Sequence, residues 1–449
     1  MSSLDNYNGI LVDEGCTLNV IRHLSSADIK SVAANTGNSW PTAKSSIERL
    51  LEHGLILQLE GLNAKTFTIN SQYGIFMGIS LDATKIDFVL TDFKFSPINI
   101  QTDERFRSFL SQIESLSNLN ITETHFTYTP TNDYLEFFEI NSICSLVVEK
   151  VLDFIEQLNN RINLISIGIS LPGIIDKSSD EIIFCPNIPS LVGMPTNKII
   201  KSNLIDRTIS NKILLSFCHD NVAALVYEKE NSFDIALPQN KLGNDIVFLF
   251  QEFGLGISYI LNNQLVSGST GAFGELGHVD MDYLDIPYRN QKEEDDFNTY
   301  FGIENIKLES NPCACGNKTC LEKLIRVKVF NSNSVKDFNS KVKKIDSFKN
   351  DHPYRYRVLL RLIGRAVNII VNVLNVDTII ISNHVLGRIN GFKEDLESYM
   401  NSISLTFSSR NCKIIVGSKL AESTAIGASM MSYYQIINDN NPKATICWD

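Results

Sequence analysis

Three cysteines fall within eight residues, at Cys313, Cys315 and Cys320, with Gly316 in the turn between them. Upstream, His278 closes the run Gly274-Glu275-Leu276-Gly277-His278. Thiolates and a neutral imidazole suit a borderline-soft cation, and a closed set of three cysteines and one histidine is one arrangement of tetrahedral structural zinc. The C-x-C-G-x-x-x-C spacing aims several sulfurs at one point, so one zinc ion per chain is expected on His278, Cys313, Cys315 and Cys320. The remaining six of the nine cysteines, at 16, 144, 185, 218, 412 and 447, are scattered singly and read as small buried hydrophobes. An odd count with clustered thiols argues against a disulfide framework and for a reducing cytoplasm.

The elements that hold these groups belong to a chain of 449 residues, long enough for two or three folding units. With 43% hydrophobic and 20% charged residues, the composition is that of a globular protein. Met1 to Asn6 lacks the basic region and apolar core of a signal peptide, and no apolar run is long enough to span a bilayer. The formal charge of −11 excludes indiscriminate binding to nucleic acid, so any DNA contact must be confined to a small patch.

Residues 1 to 72 read as helices followed by a hairpin. Leu18, Ile21 and Leu24 mark an amphipathic helix, Ser26 is placed to cap a second carrying Ile29, Val32 and Ala33, and Thr36-Gly37-Asn38 is a turn. A third helix opens at Ser39, a suitable N-cap, with Pro41 in its first turn and an apolar stripe of Ala43, Ile47, Leu50 and Leu51 ended by Gly54. Leu55 to Leu59 and Thr66 to Ile69, joined around Gly61-Leu62-Asn63, form a two-stranded wing. This order is that of a winged helix-turn-helix DNA-binding domain. Ser39, Trp40, Thr42, Lys44, Ser45, Ser46 and Arg49 lie off the stripe, where hydroxyls, Lys and Arg suit phosphates and base edges. Acidic residues outnumber basic ones here, and a small protein-interaction domain is the competing reading.

From Tyr73 onward, apolar strands alternate with helices. Strands are expected at Ile75 to Ile79, Phe88 to Leu90, Leu164 to Leu171, Lys212 to Phe217, Asp245 to Phe250, Ser258 to Leu261, Thr378 to Ser382 and Lys413 to Val416. Helices are expected at Ile143 to Leu158 and Val358 to Leu374, so the class is α/β with mixed sheets. Three polar segments interrupt the pattern, and the one from Asp280 to Ser310, with Glu293-Glu294-Asp295-Asp296, reads as a solvated excursion.

The order of motifs from Gly168 to Glu322 resembles the ROK family of repressors and sugar kinases. Gly168-Ile169-Ser170-Leu171-Pro172-Gly173-Ile174-Ile175-Asp176 is similar to its G-x-G-x-P-G-x-V-D segment, and Pro186-Asn187-Ile188-Pro189 to the N-L-x-W that follows. His219-Asp220 resembles the catalytic N-D segment in the H-D form of family repressors. Gly274 to His278 and Cys313 to Glu322 match G-E-x-G-H and C-x-C-G-x-x-G-C-L-E, differing in the latter only at Thr319. The likeness spans essentially the whole chain and points to the branch of N-acetylglucosamine-, glucose- or xylose-responsive repressors.

The resemblance implies a winged helix-turn-helix followed by two actin-like, ribonuclease-H-like α/β lobes, the first over 73–195 and the second over 196–419, with a helix near 420–438 returning to the first. It also implies a sugar or sugar phosphate in the cleft, a zinc ion shaping that site, and Asn187, Asp220, Glu275, His278 and Glu322 as contacts to sugar hydroxyls. Carboxylates can accept from neighbouring hydroxyls, and an amide both donates and accepts. His278 would bind zinc through one nitrogen and donate from the other toward the ligand or Glu275.

Asp220 stands where the family's kinases keep their general base, which favours an enzyme. Phosphoryl transfer depends as much on the loops that hold phosphate, and these depart from the kinase pattern. The D-x-G-G-T segment is Ser80-Leu81-Asp82-Ala83-Thr84, the G-T-G-x-G-G-G loop is Glu252-Phe253-Gly254-Leu255-Gly256-Ile257-Ser258, and the late G-G is Ser382-Asn383. A carboxylate at 82 repels a triphosphate, and side chains at 82 and 83 block close backbone approach. The expectation is therefore a sugar-responsive transcriptional repressor without catalysis, Asp220 being a vestigial base. Its partners would be operator DNA and a second copy of the chain in a dimer or dimer of dimers, with no membrane partner. An active sugar kinase and a sugar-dependent protein-interaction module are the alternatives.

Overall fold

The computed structural model describes residues 7–60, 65–130, 135–158, 162–231, 242–281, 313–418 and 422–438. The expected wing turn at Gly61 to Asn63, the acidic run Glu293 to Asp296, and Cys447 lie outside the described residues. The chain divides into two compact units, one of Met1–Leu242, Ile260–Ala272 and Leu420–Asp449, the other of Gly243–Tyr259 and Phe273–Lys419. Among the described residues no helix is long and apolar enough to cross a membrane.

The first unit opens with α1 (Tyr7–His23), α2 (Ile29–Thr36) and α3 (Trp40–Glu52). Leu18, Ile21, Val32, Ala43, Ile47 and Leu50 from these helices are fully buried. Three strands, β1 (Ala27–Asp28), β2 (Ile56–Leu59) and β3 (Thr66–Ile69), pair in the order β1-β3-β2. The cap of α2 is Asp28 and not Ser26, its carboxylate accepting from the Ser31 N–H at 2.7 Å. Pairing of β1 with β3 holds Ala27 and Asp28 extended, so the helix starts after them. Gly37, at φ 68°, ends α2, and Ser39 caps α3 by accepting from the Thr42 N–H at 3.4 Å.

The same unit carries a six-stranded sheet in the order β11-β8-β4-β5-β7-β6. Its strands are β4 (Ile75–Leu81), β5 (Ile86–Asp92), β6 (Leu119–Ile121), β7 (His125–Tyr128), β8 (Leu164–Leu171) and β11 (Leu214–His219); β9 (Ile174–Ile175) and β10 (Ile182–Phe184) pair separately. β4 and β5 are antiparallel, whereas β8 runs parallel to both β4 and β11. Residues 196–242, expected in the second lobe, belong to the first unit because β11 pairs with β8 from Leu214 opposite Ser166 to His219 opposite Leu171. Helices α4 (Arg107–Ile113), α5 (Phe137–Gln157), α6 (Ser202–Ser210) and α7 (Asp220–Asn231) complete it, together with the C-terminal helix Ser423–Asn438.

That C-terminal helix lies against the sheet at two glycines. A Cβ at Gly78 or Gly168 would stand 1.8 Å from the Ala425 carbonyl oxygen or 1.9 Å from that of Ala428. α7 approaches the helix as closely, since a Cβ at Gly427 would meet the Ala223 oxygen at 1.9 Å. The first glycine of the G-x-G-x-P-G motif is thus a packing requirement, while Gly173, at φ 129°, is a conformational one. Asp176, which ends that motif, accepts from the N–H and hydroxyl groups of Ser178 and Ser179, and these bonds lower its carboxyl to about 2.

In the second unit, β12 (Ile246–Gln251), β15 (Thr378–Ile381) and β16 (Lys413–Val416) are parallel, and β13 (Leu255–Leu261) flanks β12. The last two residues of β13 pair with β14 (Gln264–Leu265). Three helices matter for this unit: α8 (Leu321–Leu324), α9 (Pro353–Leu374) and α10 (Phe392–Ile403). α9 approaches α10 at Gly364, where a Cβ would stand 2.2 Å from the Tyr399 ring.

Candidate metal centre and ligand site

His278 is placed by a short 3-10 turn, Leu276–His278, that two glycines press against β13. A Cβ at Gly274, which also has φ 75°, would stand 1.8 Å from the Ile257 oxygen, and one at Gly277 would stand 2.2 Å from that of Leu255. The thiols sit on a knuckle in which Gly316, at φ 88°, donates its N–H to the Cys313 oxygen. The Cys313 N–H in turn donates to the Asn317 oxygen. The two parts are joined by backbone: the Met281 N–H donates to the Thr319 oxygen and the Leu321 N–H to the Val279 oxygen. Asp280 bridges to Cys320 in antiparallel fashion, so the chain on either side of residues 282–312 is brought together.

This pairing gathers His278, Cys313, Cys315 and Cys320 with their ligand atoms all within 4.8 Å of one another. His278 Nδ1 lies 3.6 Å from Cys313 Sγ, and Cys315 Sγ lies 3.2 Å from Cys320 Sγ. Metal–ligand distances of about 2.3 Å to sulfur and 2.0–2.1 Å to nitrogen at tetrahedral angles put ligand atoms about 3.6–3.8 Å apart. The His278–Cys313 pair matches that spacing and the Cys315–Cys320 pair is closer, so the set is compact enough, and has the donor chemistry, to hold a metal ion, with Cys313 and Cys320 buried and Cys315 exposed. The hydrogen bond to Cys313 pushes the His278 imidazole up to about 9. Burial drives the Cys313 thiol upward, but the bonds from His278 and the Cys315 backbone, with the His278 charge, together outweigh it and bring the thiol down to about 7. Burial, followed by the neighbouring Cys315, raises Cys320.

Glu275 and Glu322 flank the cluster. His278 Nε2, the nitrogen turned away from Cys313, lies 3.7 Å from a Glu275 oxygen. Glu322, in the single turn of α8, accepts from the Leu255 N–H at 3.0 Å with one oxygen, and the other lies 3.8 Å from Arg326. Asn187 and Asp220, the remaining expected sugar contacts, belong to the first unit. Asp220 is the first residue of α7; its Oδ1 is 2.8 Å from His219 Nδ1 and accepts from the Asn221 N–H at 2.6 Å. Burial raises the Cys185 and Cys218 thiols to about 12, and the Asp220 charge adds to both shifts. Asn187 is half-buried in the turn just beyond Cys185.

The segments expected to depart from the kinase pattern make their contacts within their own chain. Asp82 Oδ1 accepts from the Thr84 N–H at 2.7 Å and its hydroxyl at 2.9 Å, and the Asp82 N–H donates to the Lys85 oxygen, closing the β4–β5 turn. Phe253 lies under the Arg326 guanidinium at 4.6 Å, and Glu252 faces His384 at 3.7 Å. Ser382 Oγ accepts from the Gln251 N–H at 3.2 Å. Sequence reasoning passed over Asn383 as a site of unmet polarity: it is 8% exposed, with neither side-chain polar atom bonded among the described residues.

On α3, Trp40 is 52% exposed, and Thr42, Lys44 and Ser45 are exposed beside it. Lys44 Nζ stands 5.7 Å from the Trp40 ring and 3.6 Å from Glu48. Two residues of this helix differ from expectation. Ser46 is buried, because it follows Ala43 by one helical turn and faces the core. Arg49 donates from Nε to Glu14 of α1 at 2.6 Å, and Glu14 is 2% exposed, so the arginine ties α3 to α1. Of the scattered cysteines, Cys16 is exposed on α1, while 144, 185, 218 and 412 are buried.

Three helices and a small three-stranded sheet thus precede mixed α/β sheets in the chain, and the second unit bears a cluster of one histidine and three cysteines. The chain belongs to the ROK family, whose model matches residues 134–433. It is 23% identical over 394 residues to a xylose repressor of Bacillus spizizenii, covering 84% of this chain and 81% of that one. It is 28% identical over 162 residues to an N-acetyl-D-glucosamine kinase of Yersinia pestis, which covers 36% of this chain and 51% of the kinase. Its fold is shared, at a TM-score of 0.62 and 15% identity, with a crystal structure of a ROK family transcriptional regulator described as a homologue of the E. coli MLC protein, covering 96% of this chain and 98% of that one.

Proposed function

We propose that this chain is a sugar-responsive transcriptional repressor, acting in the cytoplasm as a dimer on an operator of a carbohydrate-utilisation operon. The observation that carries the reading is an asymmetry between two sets of residues. The expected sugar contacts Asn187, Asp220, Glu275, His278 and Glu322 are retained, whereas Asp82, Glu252 and Phe253 stand at the phosphate loops and bond within the chain. A site that keeps hydroxyl acceptors and gives up phosphate cradles senses a sugar without phosphorylating it. Trp40, Thr42, Lys44 and Ser45, with Ser39 at the helix start, supply the operator face.

The His278, Cys313, Cys315 and Cys320 set fits one zinc ion, which when bound would fix the knuckle and the His278 tautomer. His278 then orients Glu275 through its second nitrogen, and Glu322 braces β13 at Leu255. Sugar binding shifts the population toward a conformation in which paired winged helices no longer match operator half-sites.

The test is a mobility-shift titration of promoter DNA from adjoining carbohydrate genes, with and without D-xylose, D-glucose and N-acetyl-D-glucosamine. A specific shift weakened by one sugar is expected. In parallel, a coupled assay with Mg-ATP is expected to give no turnover. Turnover abolished by Asp220→Asn would establish the kinase alternative, and the absence of any specific shift would favour the protein-interaction alternative.

A further inference from the structure

α7 begins at Asp220 and ends beside the DNA-binding domain. Ten residues after Asp220, on the last turn, Glu230 is 9% exposed and places one carboxylate oxygen 3.2 Å from His23 Nε2, at the end of α1. Its other oxygen accepts from the hydroxyl of Tyr434 on the C-terminal helix. Next to it, the Tyr433 hydroxyl donates to Asn19 of α1 at 2.9 Å, and Asn19 also accepts from Arg22. The Arg22 guanidinium is held 4.3 Å from the Tyr433 ring centroid and 4.5 Å from that of Phe95, and it donates to the Phe93 oxygen at 3.2 Å. A cavity of about 420 Å³, lined by Arg22, His23, Lys94, Tyr227 and Glu230, lies alongside.

Three features make α7 a rigid connector between these ends. The helix is one uninterrupted element, so Asp220 and Glu230 are separated by a fixed rise of about 15 Å. It is buried along most of its length, and Gly427 locks its first turn to the C-terminal helix at Ala223. Beyond that contact, the cavity gives His23 and Glu230 room to part, whereas the packed first turn has none.

Resting on the proposed sugar site, we infer that Glu230 and His23 are positioning residues through which occupancy at Asp220 reaches the winged helix-turn-helix. A sugar hydroxyl on Asp220 pulls on the helix start, and the rigid helix pivots on the packed Ala223–Gly427 contact. The displacement therefore appears at Glu230, where the cavity leaves room; it loosens the bond to His23 and lets α1 change its seat. Neither residue touches sugar or DNA in this scheme; they set how far one site answers the other.

The full chain is compared with Glu230→Gln, His23→Gln and Tyr434→Phe in two assays. In the first, without DNA, deuterium exchange of α1 amides is followed as D-xylose, D-glucose and N-acetyl-D-glucosamine are titrated separately. Wild type is expected to exchange faster in α1, by roughly tenfold, when a sugar binds, and the variants to start fast and gain less than twofold. The second measures operator Kd with and without that sugar. The variants are expected to keep sugar Kd within about threefold of wild type and to bind operator without sugar about as weakly as sugar-bound wild type, so that most of the sugar response is lost. A variant with full wild-type response, or wild-type α1 exchange indifferent to bound sugar, overturns the inference. If the wild type binds no sugar at all, the proposed function fails instead, and Asp220→Asn supplies the perturbation: α1 exchange that changes by at least threefold upholds the connector, and unchanged exchange refutes it.

Discussion

Arg49 and Lys44 are both exposed cations on α3, and a search for DNA contacts would treat them alike, but their surroundings predict opposite behaviour. Replacing Arg49 by Ala leaves the Glu14 carboxylate, 2% exposed, without its donor. Removing one partner of a charge-assisted hydrogen bond costs about 1.5–3 kcal/mol, and the loss rises when the remaining charge is buried. Arg49 is itself half exposed, so solvent screening moves the figure toward the lower end, at about 2 kcal/mol. A chain of this size does not unfold in one step, so a whole-molecule Tm would blur the effect. Amide exchange of α3 reads it locally, and a loss of about 2 kcal/mol corresponds to roughly 30-fold faster exchange. Lys44→Ala removes a solvent-exposed i,i+4 pair with Glu48, worth a few tenths of a kcal/mol, and an exposed contact with the Trp40 ring, so it should change exchange far less than Arg49→Ala does. Its effect should appear instead as weaker operator binding, with a salt slope reduced by about 1. If Arg49→Ala exchanged like wild type and lost operator affinity with a reduced salt slope, the scaffold argument would be wrong and Arg49 would be a phosphate contact.

Further outcomes follow from other parts of the molecule. Metal analysis of protein purified without added metal should find about one zinc per chain, and Cys315→Ser should abolish it and speed exchange in Leu321–Leu324. Gly168→Ala drives a methyl to 1.9 Å from the Ala428 oxygen, so it should destabilise the first unit by at least about 3 kcal/mol or prevent its folding, as expression and urea unfolding would report. Asp28→Ala should cost about 1 kcal/mol, read as faster exchange in α2. The Ser31 N–H holds the Asp28 carboxyl below its ordinary 3.8. A folded-state value depressed in this way contributes stability above pH 3.8, and that contribution should fade as pH falls through the lower folded value.

Much of this architecture could be read from pattern because the strands are buried on both faces. Leu164 to Leu171, buried throughout, and Lys413 to Val416, apolar after its exposed lysine, were bounded correctly. β13 starts three residues before the expected Ser258, because a glycine-rich segment carries no period-two signal until it pairs. The helix expected from Ile143 begins at Phe137, since 82%-exposed Phe138 at its start falls outside the apolar stripe. At the metal centre, spacing revealed the three thiols, and the fourth ligand was named across a long polar excursion. What joins them is backbone pairing of Val279 and Met281 with Thr319 and Leu321, and backbone bonds leave no mark on residue type. The tie from Arg49 to Glu14 was hidden for the same kind of reason: the two are distant in sequence, and an Arg on a polar helix face looks the same whether it meets phosphate or a carboxylate of its own chain.

The helix Ser423–Asn438 seals the first sheet, yet the second unit's sequence is interposed before it. During synthesis, β4 and β8 leave the ribosome with the surface facing Ala425 and Ala428 bare, and it remains so until the rest of the chain has been made. At 5–20 residues per second that interval, counted from the end of β8, is on the order of 13 to 50 seconds. The Tyr433–Asn19 bond that seats α1 waits longer still, so a nascent chain already carrying its N-terminal helices cannot yet fix them in place.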